Sequence, residues 1–93
     1  ETARALFTID PANQTAHRFM IDADIAIREY SRAETRALEA LAYYPIDLTF
    51  NIRLARIYML QERTAEARAV AGMLQAIYGS QNADVVALLS SLK

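Results

Sequence analysis

The predicted architecture rests on residues 45–79, which read PIDLTFNIRLARIYMLQERTAEARAVAGMLQAIYG. Asp47 is a favourable N-cap residue, and the apolar residues that follow it predict a helix. A polar turn at 61–63 ends this helix, Thr64 is predicted to cap the next one, and Gly79 ends that second helix. Because so short a connection forces consecutive helices to lie antiparallel, the stretch predicts a helical hairpin.

The features of this hairpin recur 34 residues earlier in the chain. Pro11 precedes Pro45 by that distance, and Asn13 stands where an N-cap equivalent to Asp47 is needed. The same step relates small residues within one helix and the tyrosine at its end, namely Ala33 to Ala67, Ala37 to Ala71, Ala42 to Ala76 and Tyr44 to Tyr78. A recurrence at a fixed step of this size indicates supersecondary units that stack on one another.

The remaining helices follow from the same frame. Residues 1–9 are predicted to form a helix, and a second helix is predicted over 14–27. Ser31, with Glu34 three residues later, has the spacing of a capping box and predicts the start of the next helix. A short final helix is predicted within 82–93. None of these helices is long enough to be stable alone in water, so the predicted fold is an all-α solenoid of stacked antiparallel hairpins.

The composition excludes several classes of protein. Hydrophobic residues make up 54% of the chain, which is too apolar for a disordered protein, and 2 Gly and 2 Pro are few for a turn-rich β protein. The net charge of -1, with acidic and basic residues interleaved, differs from the basic footprint of nucleic-acid binders. No apolar run is long enough to predict membrane insertion, and with no cysteine there are neither disulfides nor thiolate metal ligands.

One hairpin carries a recognisable order of residues. Leu54 and Ala55 are followed by Tyr58, then by Ala67 and by the helix stop at Gly79. This order resembles the tetratricopeptide repeat, in which Leu-Gly precedes a tyrosine and then an alanine over a period of 34 residues. The resemblance implies an α-solenoid of helical hairpins. In the preceding hairpin, an aspartate, Asp24, stands where the family has its tyrosine.

The resemblance implies that residues 1–93 form a single domain of about two full repeats with flanking half repeats. Residues 1–13 correspond to the end of a preceding repeat, 14–47 and 48–81 to the two repeats, and 82–93 to a capping or following first helix. The chain enters a predicted helix at its first residue, which is not a methionine. We therefore expect it to be a piece of a longer protein.

The family resemblance also implies a function. In tetratricopeptide repeats the first helix of each pair lines a concave face that contacts the ligand, which implies a non-catalytic scaffold for a protein or peptide partner. Carried over by position, the residues predicted to bind this partner are Thr15, Arg18, Phe19, Asp22, Thr49, Ile52, Arg53, Arg56 and Met59. Arginine forks bind carboxylates at two points, so the three arginines predict an acidic ligand or the C-terminal end of a peptide. The alternative is that the arginines are solvated and that Arg18 pairs with Asp22 four residues on.

The sequence predicts no catalytic, cofactor-binding or metal-binding residue. His17 is the single histidine, and a lone histidine on a helix is more often structural or exposed than a ligand or a base. Asp22 and Asp24 point about 200° apart on a helix, so they do not form a carboxylate pair. The chain also has no glycine-rich loop that would cradle a phosphate group.

Two alternatives to a binding scaffold stay open. The chain could be a structural spacer or a self-assembly segment, with homo-oligomers formed through the exposed apolar ends of the solenoid. It could also be the recruiting arm of an enzyme whose catalytic domain lies outside this chain. The sequence leaves the cellular compartment open.

Overall fold

The computed structural model describes residues 13–92, which form five α-helices. These are α1 (Gln14–Ala26), α2 (Tyr30–Tyr43), α3 (Leu48–Leu60), α4 (Thr64–Tyr78) and α5 (Ala83–Ser91). No strand occurs in this part of the chain, so the predicted all-α class is confirmed for it. The helix predicted over 1–9 lies outside the described residues. None of the five helices is both long and apolar enough to span a bilayer.

Side-chain N-caps start α1, α3 and α5. Asn13 accepts a hydrogen bond from the Ala16 N–H at 2.8 Å, and Asp47 accepts one from the Phe50 N–H at 2.9 Å. Asn82 likewise accepts from two backbone N–H groups in the first turn of α5. Each bond satisfies a donor that the first turn of a helix leaves unpaired. The predicted caps at Asn13 and Asp47 are therefore confirmed.

The predicted caps at Ser31 and Thr64 are wrong. The helix α2 begins one residue before Ser31, and α4 begins at Thr64 itself, with no side-chain cap bond at either start. In both cases a residue with positive φ lies two positions after the end of the preceding helix, Arg28 at 63° and Glu62 at 61°. The following N–H then bonds back to that helix, which closes the turn so tightly that the next helix starts earlier than a Ser or Thr cap would place it. The capping box also fails, because the Glu34 carboxylate pairs with an arginine of the next hairpin.

The two helices of each hairpin run antiparallel. The His17 ring, near the start of α1, lies 5.9 Å from the Tyr43 ring at the end of α2. The Tyr78 hydroxyl, at the end of α4, donates a hydrogen bond to the Ile46 carbonyl just before α3. Contacts between a helix start and the end of its partner require opposite directions. The predicted hairpin geometry is thus present in both pairs.

Two apolar clusters hold the helices together, and α3 contributes to both. The first lies among α1, α2 and α3 and consists of Ile21, Ala33, Ala37, Ala40, Phe50, Leu54 and Ile57. The second lies among α3, α4 and α5 and consists of Ile52, Ala55, Ala67, Ala71, Leu74, Val85, Leu88 and Leu92. Ala33 and Ala67 are both fully buried, as expected of small residues at a helix–helix contact.

Candidate binding cleft

An open cleft of about 480 Å³ lies between α1, α3 and the first turn of α5. Its lining consists of Asp22, Ile25, Ala26, Thr49, Ile52, Arg53, Arg56, Leu60 and Asp84. The residues on α1 lie three and four positions after Asp22, and those on α3 lie three, four, seven and eleven positions after Thr49, so they share one face of each helix. The cleft therefore arises from two parallel stripes, one on each of the two hairpins, with α5 closing one side.

Five of the nine residues predicted to bind a partner line this cleft, namely Asp22, Thr49, Ile52, Arg53 and Arg56. The other four lie elsewhere. Thr15 and Phe19 are exposed outside it. The Arg18 guanidinium carbon sits 5.9 Å from the centre of the Phe50 ring. Met59, predicted as an apolar contact for the partner, packs instead against the cluster among α3, α4 and α5.

The charge pairing within the cleft differs from the expected i, i+4 pair on α1. Asp22 pairs across the helices with Arg53, whose Nε lies 2.9 Å from Oδ1 and whose second terminal nitrogen lies 3.1 Å from Oδ2. Arg53 also donates to the Thr49 carbonyl at 3.3 Å. A two-point arginine–carboxylate contact fixes orientation as well as distance. The Arg53 side chain is therefore held in one orientation at the wall of the cleft, where it links α1 to α3.

Two charged side chains of the cleft have no ion-pair partner within residues 13–92. They are Arg56 on α3 and Asp84 on α5, and both are exposed. Arg56 lies 34 residues after Asp22, but α5 starts 35 residues after α3, so Leu88 stands where a counterpart of Arg53 would lie. The pair that satisfies Asp22 thus has no counterpart one repeat later. Asp84 uses its backbone N–H, but not its carboxylate, in the cap of α5.

Sequence reasoning missed four lining residues, Ile25, Ala26, Leu60 and Asp84. The first three lie in the last turns of α1 and α3, beyond the positions that the family pattern marks. Asp84 was missed because α5 starts 35 residues after α3, from Leu48 to Ala83, and a strict 34-residue step therefore selects Ala83 and Ala87. Asn82 indicates this shift of one residue, because asparagine is a better N-cap residue than the glutamine before it.

A buried carboxylate lies outside the cleft, at the turn of the first hairpin. Asp24 is 4% exposed and faces two arginines of α2. Arg32 Nε donates to Asp24 Oδ1 at 2.9 Å. Arg36 Nε lies 2.7 Å from Asp24 Oδ2 but does not point its N–H at that oxygen, so this contact is an ion pair without a hydrogen bond. The cluster is structural, since both carboxylate oxygens face cations of the same hairpin.

The turn of the second hairpin holds a different cluster. The Arg63 guanidinium lies 4.6 Å from the centre of the Tyr58 ring and binds both Glu34, at 2.5 Å, and Glu66. Burial, and then the charge of Glu34, raises the pKa of the Tyr58 hydroxyl. Hydrogen bonds from Arg63 lower the pKa of the Glu66 carboxyl. Arg63 therefore connects the second hairpin to α2 of the first.

The described part of the chain contains no group of three or more His, Cys, Asp or Glu side chains that could hold a metal ion. His17 is 5% exposed and packs against the rings of Tyr43 and Phe50. It is thus a core residue, which is one of the two roles that the sequence left open for it. Comparison of the chain with protein-family models, with curated proteins and with solved structures finds no match.

Proposed function

We propose that this chain is a non-catalytic protein-interaction module that binds a segment of a partner protein in the cleft between α1, α3 and α5. The observation that carries this proposal is the make-up of that cleft. Ile25, Ile52 and Leu60 supply apolar surface, while the Asp22–Arg53 pair holds one wall in place. A concave, mostly preformed site with apolar contacts and a few fixed polar groups is the usual form of a binding site.

The arrangement of the helices supports a solenoid of the tetratricopeptide type. Both ends of α3 lie 34 positions after the corresponding ends of α1, from Gln14 to Leu48 and from Ala26 to Leu60. The positive-φ residues that follow these helices are separated by the same step. Repeating hairpins place their first helices side by side on one face, and in such folds this face is the extended binding surface.

A peptide-display selection on the chain 1–93 tests the proposal. Random 12-residue peptides would be selected for binding and measured on two variants of the same helix. Ala26→Arg places a long side chain in the cleft, whereas Ala23→Arg adds the same charge at an exposed position outside it. We expect Ala26→Arg to weaken binding at least about tenfold, equivalent to about 1.4 kcal/mol, and Ala23→Arg to leave it unchanged. Equal binding to both variants would show that the cleft is not the site.

Self-assembly is the second candidate, and exposed apolar side chains outside the cleft favour it. Ile46 is 59% exposed and Tyr43 52% exposed, and Ile77 and Tyr78 are exposed at the end of α4. Sedimentation of the chain over a range of concentrations, alongside Ile46→Lys, measures this directly. Dimers that the lysine variant abolishes support a role in assembly, and a monomer at every concentration removes it.

A further inference from the structure

We propose that the cleft selects a partner segment in which an apolar side chain is flanked by one acidic and one basic residue. The acidic residue binds Arg56 and the basic residue binds Asp84. This inference rests on the proposed function, since it specifies the chemistry of the segment held in that same cleft. It replaces the acidic ligand that the sequence predicted.

The charges of the cleft argue against an acidic ligand. Its lining holds two carboxylates, Asp22 and Asp84, and two guanidinium groups, Arg53 and Arg56, so these four charges sum to zero. The first carboxylate is already engaged by Arg53 through two contacts. The third predicted arginine, Arg18, lies over the Phe50 ring and does not line the cleft. One cation and one anion therefore remain for a ligand.

Arg56 is the cation that a carboxylate of the partner would meet. It is exposed, it lines the cleft, and it forms no ion pair with another residue of 13–92. Its planar fork can bind a carboxylate at two points, which fixes the ligand in one register. The neighbouring cation, Arg53, is neutralised by Asp22 and does not compete for the same group.

Asp84 is the anion of the cleft that a cation of the partner would meet. It belongs to α5, whereas Arg56 belongs to α3, and no ion pair joins the two. Its carboxylate is open to a lysine or arginine of the partner. A segment that carries both charges is thus favoured over one that carries either charge twice, because like charges placed together across an interface are unfavourable.

The apolar residues of the cleft occupy the remaining surface. Leu60 is 47% exposed, Ile25 is partly buried, and Ile52 is mostly buried. A leucine-sized side chain laid against them would remove apolar surface from water on both partners. Exposed ion pairs are individually weak, so the apolar contact supplies affinity and the two charges supply selectivity.

A comparison of peptide selections tests this inference. The same 12-residue library, with fixed flanks so that carboxylates come from side chains alone, is selected on the wild-type chain, on Arg56→Glu and on Asp84→Lys. Wild-type binders should be enriched in peptides with one acidic and one basic residue around an apolar one. Arg56→Glu should reverse the acidic preference, and Asp84→Lys should reverse the basic preference, each by about tenfold in frequency.

A matched control separates site-specific from overall charge effects. Arg28→Glu makes the same charge change at an exposed position outside the cleft, and the equivalent Glu62 shows that glutamate fits this positive-φ position. This variant should keep the wild-type preference. If Arg28→Glu reverses the preference as Arg56→Glu does, the inference is overturned. If Ala26→Arg weakens binding but peptides selected on Arg56→Glu show the wild-type charge preference, the proposed function stands and this inference fails.

Discussion

The hairpin of α1 and α2 and the hairpin of α3 and α4 have matching turns. They differ at one inner position, which is Asp24 in the first hairpin and Tyr58 in the second. In the first hairpin Asp24 is buried and faces two arginines. In the second, Tyr58 stands 34 residues later, partly buried, beneath the Arg63 guanidinium. One hairpin thus places ions where the other places an aromatic ring.

The charges that follow this position are also reversed. Glu29 and Arg32 in the first hairpin become Arg63 and Glu66 in the second. An arginine contacts the residue at the inner position in both hairpins. It is Arg32 in the first and Arg63 in the second, and these two positions are not equivalent by the 34-residue step. The positive-φ residue that follows the first helix is nevertheless the same within a few degrees. The turn is therefore determined by features that the hairpins share, not by the residue at the inner position.

The largest effect is expected from removing the buried carboxylate. Asp24→Ala leaves Arg36, whose side chain is 27% exposed, without its counter-charge. Breaking a buried pair costs about 3–5 kcal/mol, and the half-exposed Arg32 places this case at the lower end, about 3 kcal/mol. Urea denaturation measures the loss. The control, Asp22→Ala, removes an exposed acid from the same helix and should cost less than about 1 kcal/mol.

The second hairpin also supplies the replacement that should rescue this position. The double variant Asp24→Tyr with Arg36→Val copies Tyr58 and Val70 into the first hairpin. Replacing buried ions with apolar groups of similar volume is often neutral, so its stability should stay within about 1 kcal/mol of wild type. If the double variant is as unstable as Asp24→Ala, the two hairpins are not interchangeable at this position.

The next largest effect concerns a position that the hairpins share. Ala67 is fully buried in the cluster among α3, α4 and α5, so Ala67→Leu should overpack it and cost about 2 kcal/mol. Ala33→Leu makes the same change in the first hairpin and should cost a similar amount. Denaturant midpoints of both variants, compared with that of Ala69→Leu at an exposed position of α4, measure this. A loss in only one of the two would show that the hairpins pack differently.

A smaller, stabilising effect is expected in the middle of α4. Gly72 stands where the first hairpin has Leu38, and a Cβ added there would meet nothing within 4 Å beyond the helix's own nearby backbone. Gly72→Ala should therefore stabilise the chain by about 0.5–1 kcal/mol through helix propensity alone. Thermal unfolding followed by circular dichroism detects this gain. Gly79→Ala is the opposite control, since φ at Gly79 is 90° and alanine should destabilise the chain there.

The smallest effect is the pH dependence that Glu66 adds to the second hairpin. Its pKa is lowered in the folded chain by hydrogen bonds from Arg63. Its contribution is therefore complete above the pKa of the unfolded state and is lost as pH falls through the folded pKa. The stability difference between wild type and Glu66→Gln should shrink from about pH 7 to about pH 3. Glu39→Gln, at an exposed α2 position without an ion pair in the described chain, should show no such trend.

Local rules predicted much of the fold. The helix starts at Asn13 and Asp47, the stop near Gly79 and the buried alanines follow from capping, backbone freedom and periodicity. The starts of α2 and α4 did not follow, because the turn before each closes through a backbone hydrogen bond that leaves no sequence signature. The N-cap patterns at Ser31 and Thr64 therefore predict later helix starts than the structure has.

The cleft was predicted less well than the fold, because its chemistry depends on pairs that are distant in sequence. Asp22 and Arg53 are 31 residues apart, and only the packing of α1 against α3 brings them together. Without that pair, the sequence predicts three arginines on one face and hence an acidic ligand. In the structure the three arginines have different surroundings. Arg18 lies over the Phe50 ring, Arg53 pairs with Asp22, and Arg56 is exposed in the cleft.

The position of α3 between the two apolar clusters has a consequence for how the chain opens. Phe50, Leu54 and Ile57 belong to one cluster, while Ile52 and Ala55 belong to the other. Unfolding of α3 therefore dissolves both clusters at once, whereas α1 or α5 can fray and leave one cluster intact. The amide protons of α3 are expected to exchange with solvent most slowly, at the rate of global unfolding. The middle helix thus makes two repeated hairpins into one cooperative unit.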